Sequence, residues 1–377
     1  MSTASSIYIF IDLCLIDKTV LKGNIKAKFH LNSLKIEPMK NSFEFWLAKK
    51  IARTMLFIKA TTFKKLSEEP YTWACGMLMR IYNDNRMMLG NYKHRMRITL
   101  GFANLIKEKE INPDYIIGTM TSGIAPAASL AQYLGKELLI NYNGDYYLYQ
   151  KNLSIGIDLR ISANNRPDII IATSPFAIPY GVQIANELGI SFAYIRNKEK
   201  DHGKKMQVEG IIKPGMKYAF LFCNELVSEV CEFTHILEHE FKLKFCITCD
   251  VRGHEKVDPS FLKDKEAVVI EDLFSTGGSS AYEVYGAREK EMTCNYCFSI
   301  FSYGFDCLKK QFSGENNIGN KGVKLSKRCN INSLLTFSIL RSEIERLKFY
   351  KPDVIKEMRN EIEGFDKKYE KFLNKKS

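Results

Sequence analysis

Apolar positions along the chain follow two periods. Residues 39–52, from Met39 to Ala52, carry apolar side chains at helical spacing and predict an amphipathic helix. From about residue 95 onward, short apolar runs alternate with helical stretches. Tyr115-Ile-Ile-Gly118 and Leu138-Leu-Ile140 read as buried strands, and 127–134 reads as a helix closed by Gly135. This alternation predicts an α/β fold, a Rossmann-like, mostly parallel sheet with flanking helices. Residues 1–38 do not follow the pattern and read as an extension whose status the sequence leaves open.

The pattern also repeats. Pro113-Asp-Tyr-Ile-Ile-Gly-Thr119 aligns without gaps with Pro167-Asp-Ile-Ile-Ile-Ala-Thr173, an offset of 54 residues. Ile124, Ala131, Leu134 and Gly135 match Ile178, Ala185, Leu188 and Gly189 at the same offset. A second pair stands at an offset of 48, with Ala219-Phe-Leu-Phe-Cys-Asn224 against Ala267-Val-Val-Ile-Glu-Asp272 and Cys246 and Cys249 against Cys294 and Cys297. The order is first half, first half again, second half, second half again, so one core is expected inside another. The expected segments are 39–144 (a hood and the first half of the outer core), 145–258 (an inserted, degenerate inner core) and 259–335 (the second half of the outer core). Residues 336–377 complete the chain as C-terminal helices and a basic tail.

Composition changes this picture little. Apolar residues make up 45% and charged residues 26%, which argues against wholesale disorder. The formal charge is +12, but Lys and Arg are spread along the chain and a polyphosphate substrate accounts for part of it, so no nucleic-acid partner is expected. No run approaches the roughly 18–20 apolar residues of a membrane span. The apolar stretch Ile7–Ile16 is short, broken by Asp12 and lacks a basic lead, so a cytoplasmic location is expected. Two CxxC pairs among ten cysteines evoke zinc, yet both lie in strand-like runs. On a strand, residues i and i+3 face opposite ways, so buried thiols and no zinc site are expected. His235 and His239 lack the order of a metalloprotease helix.

The chemistry concentrates at 268–280, Val-Val-Ile-Glu-Asp-Leu-Phe-Ser-Thr-Gly-Gly-Ser-Ser. An apolar strand ends in Glu271 and Asp272, where α/β sheets bind ligands. Ser275, Thr276, Gly277, Gly278 and Ser279 then lead into a helix expected from Ser280. Small residues let backbone N–H groups approach a phosphate, and the helix dipole favours one. An acidic pair suits the two hydroxyls of a ribose. A second small-residue turn, Thr121-Ser-Gly-Ile-Ala-Pro126, follows the first strand. A third segment, Tyr194-Ile-Arg-Asn-Lys-Glu-Lys-Asp-His-Gly203, is cationic and Gly-flanked and reads as a mobile loop able to close over a polyanion.

The 268–280 segment resembles the loop of type I phosphoribosyltransferases that binds 5-phosphoribosyl 1-pyrophosphate (PRPP). Arg196, Lys200, Asp201, His202 and Gly203 resemble the catalytic loop of orotate phosphoribosyltransferases, with Asn197 where the family often has Lys. Thr72-Trp-Ala-Cys-Gly76, Tyr82-Asn-Asp-Asn-Arg86 and Ser302-Tyr-Gly-Phe305 resemble the hood and base site of one bacterial branch, with Cys75 for Ser and Arg80 for Pro. The resemblance implies a type I phosphoribosyltransferase fold with PRPP and orotate as substrates and Mg²⁺ as cofactor. The metal would be held mainly through substrate, with Asp272 as a protein ligand. It implies Asp272, Lys200, His202 and Arg196 as catalytic residues. Glu271, Asp272, Ser275–Ser279 and Thr121, Ser122 and Gly123 would bind PRPP, and Tyr82, Arg86 and Tyr303 the base. Transfer to another base, or a PRPP-binding pseudoenzyme, are the alternatives.

The two copies differ where chemistry is expected. The inner copy has Cys223, Asn224 and Glu229 at the positions of Glu271, Asp272 and Gly277, yet it alone holds the Arg-Lys-Asp-His loop. Family dimers exchange such loops. An internal pseudo-dimer with one composite site is therefore expected, and a further homodimer is compatible with it.

Overall fold

A computed structural model describes residues 42–149, 167–195, 208–223, 238–250, 254–314 and 323–374, apart from 74, 174, 217, 240 and 324. The unit from Phe43 onward is compact by contacts. It opens with α1 (Ser42–Phe57) and the short strands β1 (Thr61–Phe63), β2 (Tyr71–Thr72), β3 (Leu78–Met79) and β4 (Ile81–Asn83). A 3-10 helix, Asn85–Gly90, leads to α2 (Tyr92–Glu108). Then come β5 (Tyr115–Gly118), α3 (Ile124–Leu134), β6 (Glu137–Tyr142) and β7 (Asp145–Tyr149). The inner region holds β8 (Ile169–Ala172), α4 (Ile178–Leu188), β9 (Ser191–Ile195), β10 (Val208–Gly210), β11 (Tyr218–Cys223) and β12 (Lys244–Asp250). The chain returns through β13 (His254–Lys256), β14 (Glu266–Phe274), α5 (Gly278–Glu289), β15 (Thr293–Ser302) and α6 (Asp306–Phe312). It closes with β16 (Asn330–Thr336), α7 (Phe337–Leu347), α8 (Pro352–Glu363) and α9 (Phe365–Leu373).

Two larger sheets result. The seven-stranded sheet runs β13-β7-β6-β5-β14-β15-β16 and is parallel except at β7 and β13. The five-stranded sheet runs β10-β9-β8-β11-β12 and is parallel except at β10. The order β7-β6-β5-β14-β15 in one is the order β10-β9-β8-β11-β12 in the other, so the core is duplicated. The register agrees: Tyr115 lies opposite Glu137 and Ala267, and Ile169 opposite Ser191 and Ala219. These are the sequence offsets of 54 and 48.

The last strand departs by one residue. Val268 pairs with Tyr296, while Phe220 pairs with Ile247, so β12 follows β15 at an offset of 49. Cys246 and Cys249 are therefore not the counterparts of Cys294 and Cys297. The irregular pairing falls at the same place in both copies and the offset is 49 on either side of it, so the slip arises in the connection, which is one residue shorter in the inner copy, and the coincident CxxC spacing hid it.

Strands buried on both faces explain the continuous apolar runs. Ile116, Leu138, Val268 and Ile270 share one cluster with Ile170, Ala172, Phe192 and Tyr194 of the inner sheet. Ile117, Leu139 and Val269 face a second cluster, and Ile169, Ile171 and Ala193 a third. Helices α3 and α4 pack on each other inside the shared cluster. Gln132 and its counterpart Asn186 touch directly, Nδ2 to Oε1 at 3.3 Å, and Asn186 also donates to Ser129 at 3.0 Å. Contact between equivalent residues is the mark of a local twofold relation. Gly135 and Gly189 end the two helices at φ 68° and 65°, the left-handed cap that favours glycine. Among the described residues no helix is long and apolar enough to cross a membrane.

Candidate functional site

Glu271 and Asp272 stand near the C-terminal edge of β14. Glu271 is buried, and its oxygens accept from the Asp272 backbone N–H and from Ser280 Oγ, each at 2.9 Å. Burial, followed by the neighbouring Asp272 charge, holds its carboxyl well above the usual carboxylate range. Asp272 is half-buried, and Oδ1 accepts from Ser122 Oγ at 2.8 Å. Two turns far apart in sequence thus meet at one carboxylate.

The phosphate-type turn is built around Gly277. Its φ is 81°, and a Cβ there would lie 2.6 Å from Leu308 Cδ1, so only glycine fits. Helix α5 begins at Gly278, two residues before the expected Ser280, because the left-handed Gly277 acts as its cap. Gly278, Ser279 and Ser280 thereby form the first turn, whose amides have no partner within the helix. Ser275 is half-buried, Thr276 buried and Ser279 exposed. The Thr121–Gly123 turn is tighter still. A Cβ on Gly123 would sit 2.3 Å from both the Ile270 carbonyl and Thr119 Oγ1. The Met120–Thr121 peptide is cis.

The hood segment between β4 and the 3-10 helix crosses from one sheet to the other. Thr61 Oγ1 donates to Asn83 Oδ1 at 2.5 Å, Asn83 to Asn85 at 2.7 Å, and Asn85 Nδ2 to the Asp272 carbonyl at 2.5 Å. Next along, Arg86 is buried. Nε donates to Asp84 and Nη1 to Glu209 of β10, both at 2.6 Å, while Nη2 reaches the Tyr82 hydroxyl at 3.3 Å. Burial opposes its charge, but Asp84 and Glu209 outweigh it and keep the guanidinium protonated. Tyr194 of β9 is buried beside Arg86, Glu209 and Asp272, and burial pushes its phenol well above the usual range. Tyr303 is buried between Trp73 (centroids 4.7 Å apart) and Phe305 (5.3 Å) and forms part of the floor of this aromatic cluster.

The structure therefore brings together Asp272, Glu271, Ser122 and the Gly277 turn, with Tyr82 and Arg86 alongside. Arg196, Lys200 and His202 lie outside the described residues, between Ile195 and Val208. Sequence reading missed Ser280, Asn85 and Glu209. Asn85 stood inside a quoted motif, whereas Glu209 had no local signal. Cys294 and Cys297 are buried free thiols, and the described residues contain no cluster of three metal-ligating side chains.

No family model matches the chain. Orotate phosphoribosyltransferase of Streptococcus sanguinis (strain SK36) is 27% identical over 292 residues, covering 78% of this chain and 87% of the relative. The enzyme of that name from Lactococcus lactis subsp. cremoris (strain SK11) is 26% identical over 310 residues, covering 81% and 95%. Among solved structures, orotate phosphoribosyltransferase from Aeropyrum pernix matches loosely, at 15% identity and a TM-score of 0.36, over 80% of this chain and 99% of that one. Likeness to the named relatives along most of the chain and the mostly parallel α/β core give this chain the type I phosphoribosyltransferase fold.

Proposed function

We propose that the chain transfers the 5-phosphoribosyl group of PRPP to orotate, giving orotidine 5′-phosphate and pyrophosphate, at one composite site. The observation that carries this reading is the Asp272 edge. An acid held by Ser122 of the opposing turn stands beside helix amides opened by Gly277. The amides at Gly278 and Ser279, with Ser275 and Thr276, suit the 5′-phosphate. Thr121, Ser122 and Gly123 suit the pyrophosphate. Asp272 takes the ribose hydroxyls, while Glu271, buried beneath it, braces the Asp272 amide and Ser280. The reading assigns Arg196, Lys200 and His202 of the inner copy to the pyrophosphate at this edge, and it is supported by β9 and β10, whose Tyr194 and Glu209 lie beside Arg86.

The bond from C1′ to pyrophosphate breaks as the bond from the base nitrogen to C1′ forms. No nucleophilic side chain is required. The chain's contribution is position and charge: donors for two phosphate groups and a carboxylate near the cationic C1′. The donor set suits magnesium, because Asp272, whose Oδ1 accepts from Ser122, is a hard carboxylate donor beside which an ion would be completed by substrate oxygens. Bound there, magnesium would neutralise the departing pyrophosphate.

Incubation of the full chain with PRPP, Mg²⁺ and orotate, followed by orotate absorbance, tests the reading. Loss of orotate with release of pyrophosphate is expected. A second reading, transfer to an uncharged base, is favoured by the engagement of Arg86 with two carboxylates. A flat trace with orotate and consumption of another base would select it.

A further inference from the structure

Asp272 stands where β14 has outrun its neighbour. Ile270 lies opposite Gly118, the last residue of β5, and its carbonyl accepts from the Thr119 N–H at 3.0 Å. Two residues on, the backbone of Asp272 faces the same way, but the chain after β5 has left the sheet for the Thr121–Gly123 turn. Side chains take the place of the missing strand. The Asp272 N–H donates to Glu271 Oε1 at 2.9 Å, and the Asp272 carbonyl accepts from Asn85 Nδ2 at 2.5 Å. The departed turn comes back only as Ser122, whose Oγ donates to the Asp272 carboxylate. Three segments thus hold one acid, and the hood holds it by the main chain.

The Asn85 bond ends a relay whose polarity is fixed. A carbonyl can only accept, so it selects the amide nitrogen of Asn85. Asn85 Oδ1 then faces Asn83 Nδ2 at 2.7 Å, and Asn83 Oδ1 needs a donor, which Thr61 Oγ1 supplies. Thr61 and Asn83 are paired residues of β1 and β4, so the relay starts in the small hood sheet. All three side chains are buried, and Asn85 is fully enclosed. A buried polar chain with each member satisfied is rigid, and leaving one member unpaired is costly. We propose that Asn85 is a positioning residue for the transfer: it keeps the Asp272 backbone extended past the end of β5, so that the carboxylate stays against Ser122 and faces the ribose. This rests on the reading of Asp272 as the acid that takes the ribose hydroxyls. Asn85 precedes Arg86 and lies three residues from Tyr82, so the segment assigned to the base also sets the acid.

The test is a double-mutant cycle in the full chain with PRPP, Mg²⁺ and orotate, or with the base that the unaltered chain consumes, using Asn85→Ala, Asp272→Asn and the pair. Small misplacements of reacting groups cost up to about 100-fold in rate, so Asn85→Ala should lower kcat about 10- to 100-fold with the KM for PRPP little changed. In the Asp272→Asn background the same change should cost less than about twofold, because both act through one side chain. Equal losses in the two backgrounds overturn the positioning role, since a general loosening of the hood is felt whatever stands at 272. So does an unchanged kcat in Asn85→Ala, or a loss confined to the KM for the base. Transfer by the unaltered chain with full activity in Asn85→Ala overturns the positioning role alone, whereas no transfer to any base by the unaltered chain overturns the reading of the site and the role with it. If Asn85→Ala does not fold, Asn85→Leu, similar in size and without a donor, carries the same cycle.

Discussion

The two copies of the core present two turns after their first strands, and these differ in one decisive way. In the outer copy the turn holds Ser122 and Gly123 and opens toward Asp272. In the inner copy the same positions are Phe176 and Ala177. Phe176 packs against Tyr142 and Tyr147 of the outer hairpin, with centroids 5.4 and 5.2 Å apart. That hairpin is closed by Asn143 and Gly144 at φ 54° and 90°, a tight two-residue turn, where the inner hairpin has the cationic stretch 196–207. The relation is reciprocal: each hairpin faces the other copy. The inner hairpin sets Tyr194 and Glu209 beside Arg86, and the outer hairpin sets its tyrosines against a turn already filled by Phe176. A symmetric arrangement has become one open edge and one packed edge. The lesson is that a lost site can still be retained as structure.

This contrast can be broken most sharply at the acid. Asp272→Asn should lower turnover about 100- to 1,000-fold, the scale of losing one preorganised electrostatic group. Asn224→Asp, the reverse change in the inner copy, should leave turnover unchanged. Calorimetric titration should give one PRPP per chain in either case, and two sites in Asn224→Asp would overturn the asymmetry. The second comparison is steric. Gly123→Ala forces a methyl group onto the Ile270 carbonyl and should cost about 1–3 kcal/mol locally with a large loss of PRPP affinity. Ala177→Gly should cost about 1 kcal/mol or less by denaturant titration, with activity intact.

Smaller effects probe the packed edge and the junction. Phe176→Ala removes a half-buried ring and should cost about 1–2 kcal/mol without creating a second PRPP site. His94 on α2 lies among Arg97, Lys213 and Arg95, and burial first, then these cations, lower its pKa to about 4. The unfolded chain binds that proton near pH 6.5, so its contribution to stability is complete above 6.5 and is lost as pH falls towards 4. The imidazole is partly exposed, so the loss is on the order of 1 kcal/mol. His94→Gln should flatten the acid side of the stability profile. An unchanged slope would remove His94 from the junction's acid response.

Much of the molecule was legible in the sequence. Runs such as Val268–Ile270 and Ile169–Ile171 are apolar at every position, so buried strands followed directly, and the repeat predicted one core inside another. The Glu271–Asp272 edge and the glycine turn were legible because backbone conformation and acid placement are local properties. Three things were not. The slip of β12 was hidden because register depends on the length of the connection between two strands, one residue shorter in the inner copy, while both strands carry the same CxxC spacing. The start of α5 at Gly278 depended on a left-handed cap that the sequence permits without requiring. The partners of Arg86 could not be read at all, because Glu209 comes more than a hundred residues later and only the packing of two sheets sets it at 2.6 Å. The sequence by itself determined the elements, their duplication and which residues line one edge. Tertiary structure alone decided which copy faces which edge and what a buried charge is paired with. The physical reason is that those outcomes are contacts between distant segments, and local pattern carries no distance.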